Sequence, residues 1–473
     1  MAGIRARRLN VPLRRMAVLC AAMLFLLLAH VTVVQVFGAR ELNADRRNER
    51  SLISRFARPR GDILTYDGAT VARSRPAPGG GPYRFQRVYT DGELYAPVTG
   101  YLSLFDSAGV EQAERAVLSG DDAKVKVRSM VSDGDAAGAD IRLTVGVRTQ
   151  WAAYHALQAA GVPGAVVAID PATGAILALA SYPSYDPNTL ATFDATRLDT
   201  TLARLRDAPA RPLLNRALNQ VYPPGGTFKL VTAAAALASG EYTPTARVNT
   251  VVQPPLPAPL AACGRSRPTL LRAFETSCDT AFAGIGLQLG QDILRDQAEA
   301  FGFDAGDLRV PLEATPSTYP QGMDRPRTAL SAVGRDQDRA TPLMIAMLSA
   351  AVANDGVLMR PYLVEEVSLP DGSLLVQAGP EPYRTTMTPE RAHYLATMMA
   401  TATRAGGPGA AVAIPGVEVA AKIAASGGQD ALATAFAPAG APEVAVGVVL
   451  EHPGPDAAVV AGVARAVLEA ALA

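Results

Sequence analysis

Lysine is scarce in this chain, and its placement points to chemistry. Only Lys124, Lys126, Lys229 and Lys422 occur, while arginine supplies nearly every other cation. Lys229 closes the run Tyr222-Pro223-Pro224-Gly225-Gly226-Thr227-Phe228-Lys229. The Pro-Pro-Gly turn ends what precedes it, and a helical pattern runs from Thr227 to Ser239 with Gly240 placed as its C′ residue. Residues 226 and 229 then stand one turn apart at a helix start. Were residue 226 a serine, the lysine amine would reach its hydroxyl as base, and free helix N–H groups would face an oxyanion. That is acyl-transfer chemistry, but position 226 is glycine and carries no oxygen. Thr227 points about 100° away around the helix and is no simple substitute.

The elements that must position these residues begin with a membrane span. Met16 to Ala39 contains no Asp, Glu, Lys or Arg, and roughly 20 apolar residues cross a bilayer as a helix. Arg5, Arg7, Arg8, Arg14 and Arg15 precede it and mixed charges follow. This pattern places the N-terminus in the cytoplasm and the bulk of the chain outside the membrane. A cleaved signal peptide is the competing reading, but Val36-Phe37-Gly38-Ala39 is a poor cleavage site. At 473 residues the chain has room for two to three domains. The expected organisation is a cytoplasmic tail (1–15), a single anchor in the cytoplasmic membrane (16–38), a small α+β module (39–147) and a larger domain (148–473).

Within the small module, Asp67-Gly68 marks a hairpin turn. In the larger domain, apolar runs 165–169 and 175–180 flank a hairpin turn. Ala-rich helices cover 230–239 and 341–354, two late strands cover 417–423 and 444–450, and a helix closes the chain at 457–471. Strands at both ends with helices between them indicate an α+β fold. A formal net charge of zero gives a nucleic-acid partner no electrostatic support. Four scattered histidines and no Cys-x-x-Cys pair give no metal site, and no cofactor is expected. Cys263 and Cys278 lie beyond the span, where a disulfide persists and would contribute about 3 kcal/mol. Two buried free thiols are the other reading.

Taken together, the chain resembles the class B penicillin-binding proteins, the membrane-anchored D,D-transpeptidases of peptidoglycan synthesis, and among them the actinobacterial branch named penicillin-binding protein A. The resemblance rests on the order and spacing of several stretches. These are Arg60-Gly61-Asp62-Ile63, Tyr95-Ala96-Pro97-Val98-Thr99-Gly100, Pro183-Ser184-Tyr185-Asp186-Pro187-Asn188, Asn215-Arg216-Ala217, Tyr222-Pro223-Pro224-Gly225, Thr276 to Phe282 and Ala435-Phe436-Ala437-Pro438. It implies a transpeptidase (serine β-lactamase-like) sheet covered by helices, with residues 39–147 as an N-terminal pedestal or dimerisation-like module.

It also implies three motifs around one cleft, and the chain departs from each. Ser-x-x-Lys becomes Gly226-Thr227-Phe228-Lys229, Ser-x-Asn becomes Ser277-Cys278-Asp279, and Lys-Thr-Gly becomes Lys422-Ile423-Ala424. Asp279 accepts hydrogen bonds where an asparagine would donate. Its charge also favours the cationic form of Lys229, a poor base. Ile423 lacks the hydroxyl that would hold a substrate carboxylate, Ala424 adds a methyl, and the Ala425–Leu432 segment is shorter than the family's loop. Lys229 and Lys422 are expected to pair with Asp279 in a buried ionic cluster that holds the cleft shut.

The reading that follows is a catalytically degenerate transpeptidase homologue, retained as a scaffold or regulator in cell-wall synthesis and cell division. Two alternatives are an enzyme with Ser277 or Thr227 as nucleophile, and a non-covalent sensor of stem peptide or β-lactam. By analogy, its partners are membrane proteins of division or elongation, such as a glycosyltransferase.

Overall fold

The structure is a computed structural model that describes residues 3–38, 49–131, 137–250, 260–263, 267–404, 409–425, 430–452, 454 and 457–473. Part of the charged stretch after the anchor (residues 41–48) and most of the shortened 425–432 loop (residues 426–429) lie outside the described residues. The chain divides into residues 1–57 with 77–84, and residues 58–76 with 85–473.

In the first unit a helix runs from Gly3 to Val33 and a π-helical turn follows at Val34–Gly38. The Arg-rich tail, expected to precede the membrane helix, is therefore continuous with it. Val11–Val36 has mean hydropathy 2.6 over its most apolar window and buries none of that window within the chain. Its 26 residues are long and apolar enough to span a bilayer.

The second unit holds two main sheets. The first combines β1 (Ile63–Leu64), β2 (Thr70–Pro76), β3 (Phe85–Tyr89) and β4 (Asp140–Leu143) with β8 (Val364–Ser368) and β9 (Leu374–Gln377), in the order β3-β2-β1-β4-β8-β9. Asp67-Gly68 turns β1 into β2, with Gly68 at φ 81°. The N-terminal sheet is thus completed by a hairpin from much later in the chain. Beneath it, Glu111 is fully buried between Arg60 and Arg87, each donating from Nε at 2.5 Å. Burial pushes the Glu111 carboxyl up, but the two guanidinium groups outweigh it and hold the carboxyl below its ordinary range.

The second sheet is antiparallel, in the order β11 (Ala420–Ala425), β12 (Ala431–Ala437), β13 (Val444–Leu450), β5 (Gly164–Ile169), β6 (Ile176–Tyr182). A third pairing joins β7 (Val357–Met359) to β10 (Pro382–Thr385). Strand β12 was not expected from the sequence: Ala-Leu-Ala-Thr-Ala-Phe-Ala has little β preference. It is a strand because both its faces are buried, and small side chains let helices approach closely. The Pro342–Ala353 helix lies against β12, β13 and β5. At Gly447 its backbone comes so near that an added Cβ would stand 2.3 Å from Ala346 N. The Ala457–Leu472 helix packs on β12 and β13 and against the Val147–Ala160 helix.

Candidate functional site

Three segments converge at the free edge of the second sheet. The first is the turn and helix that carry residues 226 and 229. Its opening turn, Gly225–Phe228, is a 3-10 helix, and the α-helix begins only at Lys229. With three residues per turn, positions 226 and 229 lie directly above one another. Gly240 ends the helix at φ 77°. Thr227 is buried and its hydroxyl donates to the Pro224 carbonyl at 2.6 Å, so it does not face the cleft as a nucleophile.

The second segment is Ser277-Cys278-Asp279. The Ser277 N–H donates to the Phe274 carbonyl and the Cys278 N–H to the Ala273 carbonyl, closing the Leu270–Glu275 helix. This turn holds Ser277 at φ 54°, a left-handed conformation that costs a non-glycine residue about 1–3 kcal/mol. Cys278 is joined to Cys263 by a disulfide. Asp279 then opens the Asp279–Leu289 helix, where a carboxylate meets the positive end of the helix dipole. The third segment is edge strand β11. Lys422 and Ala424 share one of its faces and Ile423 takes the other, where it is buried in the core. The Ala425 backbone pairs with Ala431.

These positions meet. A Cβ added to Gly226 would stand 3.3 Å from Ala424 Cβ, 3.5 Å from Ser277 Oγ and 3.8 Å from Lys229 Nζ. The Lys229 ammonium donates to the Ser277 carbonyl at 2.7 Å, to Ser277 Oγ at 3.0 Å and to Asp279 Oδ1. The other Asp279 oxygen accepts from the Ala261 N–H at 3.2 Å and lies 3.2 Å from Arg335 Nη2.

Two expectations are corrected here. Lys422 does not pair with Asp279. Its amine donates to the Phe274 carbonyl at 2.7 Å and lies 4.4 Å from the Phe274 ring centroid, with no ion pair among the described residues. Arg335 takes the expected place of Lys422 on the carboxylate. It arrives because Gly334, at φ 69°, lets its loop touch the Gly225–Phe228 turn; the Gly225 N–H donates to the Gly334 carbonyl at 3.0 Å. The second correction concerns Lys229. Burial lowers its affinity for a proton more than Asp279 raises it, so the amine sits below the ordinary lysine range. Lys422 is pushed well below that range, by burial and then by repulsion from Lys229. No sequence motif marked Arg335; the only local signal was a glycine ahead of it.

Gly226, Lys229, Ser277 and Ala424 therefore form one cluster at the sheet edge, with Asp279 bound to Lys229. Residues 164–469 match the penicillin binding protein transpeptidase domain, and residues 60–141 match the penicillin binding protein A dimerisation domain. The chain belongs to the penicillin-binding protein transpeptidase family. It is 40% identical to the peptidoglycan D,D-transpeptidase PbpA of Mycolicibacterium smegmatis, covering 98% of this chain and 99% of that protein. The PbpA of Mycobacterium tuberculosis is 39% identical over the same shares. Among solved structures, penicillin-binding protein A of M. tuberculosis as an imipenem acyl-enzyme superposes with TM-score 0.83 at 37% identity, covering 89% of this chain and 100% of that one. A D,D-transpeptidase domain from Eggerthella lenta gives TM-score 0.75 at 32% identity, covering 88% and 98%.

Proposed function

We propose that this protein serves peptidoglycan synthesis as a non-acylating transpeptidase homologue, acting as a membrane-anchored scaffold or regulator. The observation that carries this reading is the packing at residue 226. The position that would bear the attacking oxygen is a glycine, and the Ala424 methyl stands 3.3 Å from where a side chain would begin. The three contacts made by Lys229 are all internal. The lost oxygen, the added methyl and the added carboxylate occupy one site together. The cationic residues ahead of the Val11–Val36 span support a cytoplasmic N-terminus, with the bulk of the chain on the peptidoglycan side. Partners of this scaffold are membrane proteins of division or wall elongation, by analogy with the family. The test is labelling of the full-length protein with a fluorescent penicillin beside the M. smegmatis relative. A stoichiometric covalent adduct would sink the reading.

One observation favours a second reading, an acyltransferase that attacks through Ser277. Its hydroxyl is 3.0 Å from the Lys229 amine, which burial shifts toward the neutral base. It is also held on a strained turn, at φ 54°. Intact-mass and peptide-mapping spectra after incubation with a β-lactam or a thioester decide between the two. An acyl group on Ser277 establishes the second reading; an unmodified chain removes it.

A further inference from the structure

The disulfide beside the cleft is placed where its state bears on Asp279. Cys278 stands between Ser277 and Asp279, and its partner Cys263 lies 15 residues earlier in the chain. Ala261 and Ala262, just ahead of Cys263, are exposed. Two hydrogen bonds accompany the covalent link. The Ala261 N–H donates to Asp279 Oδ2 and the Thr280 N–H donates to the Ala261 carbonyl, each at 3.2 Å. The carboxylate is the one that binds Lys229 and Arg335. One S–S bond thus staples a strip of exposed backbone to the ionic cluster of the cleft.

The two sulfurs differ in exposure and in chemistry. Cys278 is 2% exposed, whereas Cys263 is half-buried at the end of the exposed strip. In thiol–disulfide exchange a thiolate attacks the sulfur it reaches, and the other sulfur leaves. Here the reachable sulfur is that of Cys263, and Cys278 is the leaving group. Cys278 is the N-cap residue of the 11-residue Asp279–Leu289 helix, whose positive end stabilises a thiolate. The Thr280 hydroxyl, 3.4 Å from Cys278 Sγ, is placed to donate to it. Lys229 and Arg335 offset the neighbouring Asp279 charge.

We propose that the Cys263–Cys278 bond is a redox-exchange site for a vicinal dithiol, and that its state sets whether residues 260–263 stay closed on Asp279. One thiolate of the dithiol attacks Cys263 Sγ, forming a mixed disulfide as the S–S bond breaks and Cys278 Sγ leaves with the electron pair. The second thiol of the reagent, as thiolate, attacks its own linked sulfur, closing a disulfide and releasing Cys263. Two electrons and two protons pass from the dithiol to the two cysteines. With the bond open, the two hydrogen bonds are left to hold the strip, and each competes with water. Asp279 keeps Lys229 and Arg335, so the change is local. The proposal goes beyond the reading of the cleft and holds whether or not the cleft acylates.

The test uses the full-length protein in detergent with Cys20→Ala, so that this pair supplies its only cysteines. Glutathione without denaturant, followed by iodoacetamide and peptide mass mapping, should place the mixed disulfide on Cys263 at least about tenfold over Cys278. Dithiothreitol should reduce the bond in the native state. Amide hydrogen exchange in peptides covering 260–263 and 277–281 should then rise at least about tenfold, while β12 and β13 are unchanged. The double variant Cys263→Ala with Cys278→Ala should exchange like the reduced protein and ignore dithiothreitol. Resistance to both thiols in the native state, a mixed disulfide on Cys278, or unchanged exchange after reduction overturns the proposal. So does exchange that rises throughout β12 and β13, which marks a staple of the whole domain. Neither readout involves acylation, so failure here is distinguishable from failure of the penicillin-labelling test.

Discussion

Asp279→Ala tests whether the cleft is closed by a buried ion pair. The side chains of Lys229 and Asp279 are only 1% and 6% exposed. At an effective dielectric constant of about 20, two unit charges about 4 Å apart attract by about 4 kcal/mol. Truncating one member of a buried pair typically costs about 3–5 kcal/mol, because the other charge is left uncompensated. Lys229 would keep the Ser277 carbonyl and hydroxyl as acceptors, which favours the lower end, about 3 kcal/mol at pH 7. The pH dependence has a definite sign. Burial already places Lys229 below the ordinary lysine range, and loss of the carboxylate lowers it further. Between that lowered value and the unfolded value of about 10.4, the unfolded chain binds more protons, so stability rises with pH. The variant's deficit should therefore shrink as pH rises from 7 to about 10. Guanidinium unfolding of the full-length protein, followed by far-UV circular dichroism at both pH values, reads this directly. A loss below about 1 kcal/mol at pH 7, or an equal loss at both pH values, would refute the buried-pair account.

Three further outcomes are expected. Gly226→Ser alone should show no rapid penicillin labelling, since its Cβ meets Ala424 Cβ at 3.3 Å and Asp279 still holds Lys229; labelling should appear only when Ala424→Gly and Asp279→Asn are added, and gel fluorescence separates the two results. Glu111→Gln should destabilise the N-terminal sheet by about 3 kcal/mol or more, because Arg60 and Arg87 lose their shared carboxylate; a change in unfolding free energy below about 1 kcal/mol would show that the pair does not depend on it. Burial raises the Asp338 carboxyl to about 8, with Ser331 donating to it. Its contribution is present below the unfolded value near 3.9 and is lost as pH rises to about 8, so Asp338→Asn should remove a stability slope of up to about 1.4 kcal/mol per pH unit across that window.

The candidate site was more legible in the sequence than the sheets that carry it. Gly226 and Lys229 share one turn, and Ser277 and Asp279 flank one residue, so their geometry follows from local spacing. Strand β12 was invisible for the opposite reason. Its alanines carry no alternation and little β preference, and only burial by helices on both sides makes it a strand. The β8–β9 hairpin joins the N-terminal sheet through pairings with β4 that no local pattern announces. Arg335 and Lys422 show the same limit at the scale of single side chains. The second cation on Asp279, beside Lys229, was decided by a glycine-glycine contact between two loops, at Gly225 and Gly334, and not by motif order.

The changes around residue 226 explain one another physically. A lysine amine in this position without a counter-charge would be strongly destabilising, because burial penalises its charged form. Asp279 supplies that counter-charge, and the same carboxylate engages Arg335 and the Ala261 N–H. Space follows a similar logic. Gly226 has no side chain, and Ala424 Cβ stands 3.3 Å from where one would begin. Asp279 thus supplies the charge that buried Lys229 requires, while Ala424 narrows the space beside residue 226. These contacts are why Gly226→Ser alone should fail to give penicillin labelling, while its combination with Ala424→Gly and Asp279→Asn should give it.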